Sequence, residues 1–171
     1  MPQPDLATNA LLATAPLLWR GGTPADVPEI AQFASYAFDP GFREAWTEPQ
    51  IAAMVLDPAS WLELGCSVRQ GNPAIEAFAL SRLIFDEVEL LLFATSPANR
   101  LQGIGKALLA KVCLSSRMRG ARRIYLEVRA SNKAALTLYQ SAGFVAAGRR
   151  PAYYRSVAGD SIDAITLALT L

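Results

Sequence analysis

The stretch that most restricts the fold runs from Val88 to Met118, where the chain changes rhythm twice. Val88–Ala94 is apolar at every position except Glu89, as expected of a central strand covered on both faces. Pro97 ends it. The loop Arg100-Leu101-Gln102-Gly103-Ile104-Gly105 follows, and a helix is expected over 103–118, with Ile104, Leu108, Leu109, Val112 and Cys113 on one stripe and Lys106, Lys111 and Arg117 elsewhere. Parallel strands need a long crossover such as this helix, so a mixed sheet is expected rather than a purely antiparallel one.

The flanking segments complete that sheet. Upstream, 16–20 reads as a short strand broken by Gly21-Gly22, and Thr23-Pro24 starts a helix through Ile30, Phe33 and Ala34. An aromatic cluster (Tyr36, Phe38, Phe42, Trp46) around an Asp39-Pro40-Gly41 turn leads to a helix over 48–56. Then come strands over 61–69, 75–84 and 88–95, read as an antiparallel meander. Downstream the order is strand 123–128, helix 133–141, strand 144–148 and strand 162–171. The expected fold is a single α/β domain over residues 15–171, with a mixed, mostly antiparallel sheet flanked by helices. Residues 1–14 are read as an N-terminal extension.

Composition narrows the partners. A chain of 171 residues fits one domain that buries roughly two thirds of its unfolded surface. A net charge of +1 beside a 52% apolar share suggests neither disorder nor polyanion binding. Cys66 and Cys113 are far apart and read as small hydrophobes in a reducing compartment, the cytoplasm. The chain has no histidine, which excludes serine–histidine and cysteine–histidine nucleophiles and the usual histidine metal sites. The apolar run Ala10–Trp19 is short, holds Pro16 and lacks a basic lead, so no signal peptide or membrane span is read there.

Gly103 and Gly105 stand at the open N-terminus of the expected helix, where unpaired amides and the helix dipole suit a phosphate or pyrophosphate. A nucleotide-triphosphate loop would need glycine at 100 and serine or threonine at 107, where Arg100 and Ala107 stand. A dinucleotide fingerprint would need glycine or alanine at Leu108 and a first glycine close behind the strand; Glu127 nevertheless fits its downstream acid, so that alternative stays open. So does a helix start that binds nothing.

The Arg100-x-x-Gly103-x-Gly105 pattern resembles the acetyl-CoA loop of the GNAT acetyltransferases. The run Ile124-Tyr125-Leu126-Glu127-Val128-Arg129-Ala130-Ser131-Asn132, with Ala134-Ala135, Leu138-Tyr139 and Gly143-Phe144, sharpens the match toward the branch that acetylates the N-terminal alanine of a bacterial ribosomal protein. The resemblance spans about Arg20 to Leu171 and is dense from Pro97 onward. It implies two parallel strands, over 88–95 and 123–128, that splay apart to admit acetyl-CoA. Backbone groups of Phe93, Ala94 and Thr95 would pair with the pantetheine, Arg100 and Leu101, Gln102, Gly103, Ile104, Gly105 and Lys106 would hold the pyrophosphate, and Asn132 would bond the cofactor from the far side. Where relatives often carry an A-V-D-P-like segment, this chain has Ala94-Thr95-Ser96-Pro97.

By the same resemblance Glu127 is the base and Tyr139 the acid, with no metal required. Acyl transfer to an amine needs a route for the amine proton and a proton for the departing thiolate, and these side chains can serve both. Competing roles are an arginine-paired strand glutamate and a core tyrosine beside Leu136. An N-terminal amine with pKa near 8 is about one tenth neutral at pH 7, against fewer than about one lysine in a thousand, which favours a protein N-terminus for a weak carboxylate base. Lysine or small-molecule acetylation, and an acyl-CoA-binding regulatory module without turnover, are the alternatives. Phe38, Phe42, Trp46, Tyr153 and Tyr154 are candidates for the acceptor side, and Arg117, Arg119, Arg122 and Arg123 for coenzyme A phosphates or a solvated face.

Overall fold

The computed structural model describes residues 17–42, 44–69 and 71–171, so the expected extension over 1–14 lies outside the described residues. Strand β1 (Leu18–Gly21) leads through a 3₁₀ turn (Pro24–Asp26) to helices α1 (Val27–Ala37) and α2 (Glu48–Val55). Strands β2 (Ser60–Arg69), β3 (Asn72–Ile84) and β4 (Glu87–Thr95) form the meander. Helix α3 (Ile104–Met118), strand β5 (Arg123–Arg129), helix α4 (Lys133–Ser141) and strands β6 (Val145–Arg155) and β7 (Ser161–Thr170) follow. One seven-stranded sheet runs β1-β2-β3-β4-β5-β7-β6. Only β4 and β5 pair in parallel; every other neighbouring pair is antiparallel.

Local chemistry sets the helix starts. Thr23 and Asp26 close a reciprocal capping box before α1, and Asp26 also takes the Arg20 guanidinium. Thr47 and Gln50 do the same for α2, and Asn132 Oδ1 accepts the Ala135 amide to cap α4. Each cap satisfies amides that a helix leaves unpaired and contributes about 1 kcal/mol.

The sheet carries a core on each face. Ile30, Phe33 and Ile51 of α1 and α2 pack on Leu64, Phe78 and Leu80, while Leu108, Leu109 and Val112 of α3 pack on Ala77, Ala79, Val88 and Ile124. Strand β3 lies between both and is buried from Ile75 to Ser81. Truncating a fully buried Phe78 to alanine is worth about 3–5 kcal/mol.

Two bulges interrupt this regularity. Leu80 faces Leu92 but Ser81 faces Leu90, leaving Leu91 as an extra residue in β4; Gly65 faces Ala77 but Cys66 faces Ile75, leaving Glu76 extra in β3. Val88 and Leu90 therefore point to the α3 core, and Leu92 and Ala94 to the α1 core. Parallel pairing of β4 with β5 stops at Leu90 and Leu126, at the same level.

Strand β6 is longer than the expected 144–148. It continues past Pro151 to Arg155 as a sheet edge, where a missing backbone donor is tolerated, and almost every residue is exposed. Strand β3 begins at Asn72, three residues before the expected start at 75. Among the described residues no helix is long and apolar enough to cross a membrane.

Candidate active site

Beyond Leu90 and Leu126 the unpaired halves of β4 and β5 border a groove of about 2060 Å³, roughly twice the upper end of ordinary ligand pockets. It is lined by the glycine loop and α4 and by the α1–α2 connection and β6.

The loop end rests on backbone geometry. Leu101 and Gly103 take left-handed φ values of 63° and 79°, and Leu101 is fully exposed. A Cβ on Gly103 would meet nothing within 4 Å, so glycine there serves φ rather than space. Gly105 differs: a Cβ would come within 3.2 Å of Leu138 and 3.8 Å of Thr95, and its absence lets α3 lie close under the groove. No side chain caps α3, so its first amides stay available to an anion. This cradle fits a pyrophosphate.

Buried anchors hold that loop. Glu76, 2% exposed, accepts the Asn99 side-chain amide at 2.6 Å and the Ser67 hydroxyl at 2.7 Å, while its carbonyl accepts the Ser96 amide. Arg100 donates to the Ala37 carbonyl at the end of α1. Sequence reasoning passed over Glu76, although a lone carboxylate in the apolar run 74–80 was a signal.

The other end is built from charged side chains. Arg129 is 7% exposed; its Nε donates to Glu44 at 2.7 Å, another nitrogen lies 3.7 Å from Asp39, and its guanidinium sits 3.7 Å over the Phe42 ring. That cluster fastens the α1–α2 connection to β5. Glu127, two residues earlier and on the same face, accepts a 2.6 Å bond from Arg150. Glu44, Arg129 and Arg150 were missed because their contacts join segments 85 and 23 residues apart.

Tyr139 is buried against Phe93 and Phe144, with ring centroids 5.8 and 5.6 Å away, and it also lines the groove. Burial, then Tyr154 and Glu44, push its phenol well above the ordinary value of 10. Burial, then Glu44 and Glu127, raise Tyr154 likewise.

The expected site residues divide by position. Phe93, Ala94, Thr95, Arg100, Leu101, Gly103, Gly105, Glu127, Asn132 and Tyr139 line one groove. Gln102 and Lys106 are exposed off its wall, and Ile104 buries its side chain in the α3 core. Asn132 spends its oxygen on the α4 cap, leaving its amide NH₂ for a ligand. Phe38, Trp46, Tyr153 and Tyr154 line the same groove, whereas Phe42 lies beneath Arg129. Arg119 covers Trp61, Arg122 and Arg123 pair with Asp86 and Glu87, and Arg117 also stays off the groove wall.

A mixed sheet opened at its one parallel pair, with an uncapped glycine loop below the gap, defines a coenzyme A-dependent acyltransferase scaffold. The chain matches the Acetyltransferase (GNAT) family over residues 31–144 and belongs to it. It is 41% identical over 100 residues to the ribosomal protein bS18-alanine N-acetyltransferase of Escherichia coli strain K12, covering 58% of this chain and 67% of that one. The crystal structure of the E. coli ribosomal-protein-S18-alanine N-acetyltransferase superposes with a TM-score of 0.79 at 30% identity, over 90% of this chain and 93% of that chain. A Salmonella typhimurium acetyltransferase solved with acetyl-CoA shares the fold (TM-score 0.73, 17% identity, 92% of this chain and 95% of that chain). The protein is therefore an acetyl-CoA-dependent N-acetyltransferase.

Proposed function

We propose that the acceptor is a protein N-terminal amine, an N-terminal alanine of a ribosomal protein in the cytoplasm being the first candidate, and that it attacks directly in a ternary complex. The observation that supports this most is one continuous groove lined both by the glycine loop and by Glu127 and Tyr139. Its size suits two substrates at once. Similarity to the bS18-alanine enzyme points to the acceptor class.

Acetyl-CoA supplies the activated thioester. Phe93, Ala94 and Thr95 hold the pantetheine by backbone groups, the loop amides from Leu101 to Lys106 with Arg100 hold the pyrophosphate end, and Asn132 donates from α4. Glu127 takes the amine proton, directly or through water. Tyr139 donates a hydrogen bond to the departing sulfur; because burial lifts its phenol further above a thiol near 8.5, it acts by stabilising that charge more than by giving up its proton.

The decisive assay follows acetyl-CoA consumption with an N-terminal alanine peptide, the same peptide blocked at its N-terminus but carrying lysine, and a polyamine. Preference for the free N-terminus is expected. Turnover only with the lysine peptide or the polyamine would overturn the acceptor assignment, and coenzyme A binding without any turnover would favour a regulatory module.

A further inference from the structure

The bond between Arg150 and Glu127 is produced by an irregular edge strand. On β6 Arg150 faces Ala164 and Tyr154 faces Ile162, so Pro151, Ala152 and Tyr153 stand against the single residue Asp163. Ala152 is left-handed at φ 51°. Asp163 holds the distortion from β7: its carboxylate accepts the Ala152 amide at 2.9 Å and Arg149 Nε at 2.6 Å. Such bulges re-aim side chains. Here Arg150 passes 4.5 Å over the Tyr153 ring and ends on Glu127.

Arg150 therefore puts a cation where the proposed mechanism needs an acceptor ammonium to arrive. Tyr153 and Tyr154 of the same strand also interact with Glu127, while Arg129 and Glu44 in that wall are paired with each other. The Arg150 side chain remains 56% exposed, against 27% for Glu127. It can leave into solvent without disturbing the core.

We propose that Arg150 is an internal stand-in for the acceptor amine, a specificity-determining residue that occupies Glu127 until a cationic N-terminus displaces it. This rests on the assignment of Glu127 to the acceptor site made above. An exposed ion pair is weak, so the competition it exerts amounts to about two- to fivefold in acceptor affinity. An acceptor that arrives uncharged can hydrogen-bond to the carboxylate but brings no charge to replace that of the guanidinium.

The test is Arg150→Gln with an N-terminal alanine peptide and acetyl-CoA. Acceptor KM is expected to fall about two- to fivefold, with kcat and the KM for acetyl-CoA unchanged. Millimolar methylguanidinium should raise the variant's acceptor KM back competitively and leave the wild type unaffected, a response that a purely structural role would not give. An acceptor KM that rises, or stays the same with no methylguanidinium competition, overturns the proposal. Glu127→Gln separates the two failures. If it turns over normally, the assignment of Glu127 falls; if it is inactive while Arg150→Gln is indistinguishable from wild type, only the stand-in role falls.

Discussion

The two ends of the groove are made of different materials. The glycine loop presents backbone amides, positioned by left-handed residues at Leu101 and Gly103 and fastened from behind by a carboxylate that is 2% exposed; in the proposed function this is the donor end. The region around Glu127, the acceptor end of the proposed function, presents side chains, and its contact between Glu127 and Arg150 is open to water. Backbone cradles tolerate sequence change as long as the turn is kept, whereas a wall of ion pairs changes partner with each substitution.

Mutations that strike one end and spare the other can break this contrast. Glu127→Gln is expected to lower kcat about 10²–10³-fold while coenzyme A affinity, followed by calorimetry, stays put. Tyr139→Phe should cost kcat about ten- to a hundredfold, since a hydrogen bond to a charged group is lost, again without weakening coenzyme A binding. At the donor end the pattern should invert. Glu76→Ala strands Asn99 and Ser67 and is expected to weaken coenzyme A binding about tenfold with acceptor KM unchanged; Asn99→Ala should reproduce it, and the double variant should lose no more than either alone. Gly103→Ala places a side chain at φ 79° in open space, so a penalty of about 1 kcal/mol, or fivefold in coenzyme A affinity, is expected. If Glu76→Ala instead raised acceptor KM, the two ends would not be separable.

A change outside both ends sets the baseline. The Arg20 guanidinium holds Asp26 at a pKa of about 2, below its usual 3.8, and the Thr23 amide and hydroxyl add to this. Because the folded value is depressed, the stabilisation is complete above about pH 4 and disappears as pH falls through about 2. Asp26→Asn should therefore cost under about 1 kcal/mol of stability at pH 7, read as a small drop in melting temperature, and the difference should vanish as pH falls below about 2. Turnover should be unaffected.

The glycine loop and the strand and helix around it were largely legible in the sequence, because their determinants are local. An apolar strand, a proline, two glycines and an amphipathic helix follow one another within thirty-one residues, Val88 to Met118, and periodicity is read over such distances. Glu127 and Tyr139 were singled out through resemblance, and both line one groove. What stayed hidden is non-local. Arg129 meets Glu44 and Arg150 meets Glu127 only after the sheet has brought β5, β6 and the α1–α2 connection together. The full length of β6 was hidden by Pro151 and by the lack of any apolar alternation on an exposed edge.

The extra residue at Leu91 reaches further than its size suggests. Side chains on a strand alternate strictly, so one added position inverts the phase of everything beyond it: Val88 and Leu90 serve one core, Leu92 and Ala94 the other. Deleting Leu91 would let Leu92 follow Leu90 in unbroken alternation and leave Phe93 and Ala94 on the faces they hold now; what would be lost is the local kink in β4 beside the point where its pairing with β5 stops.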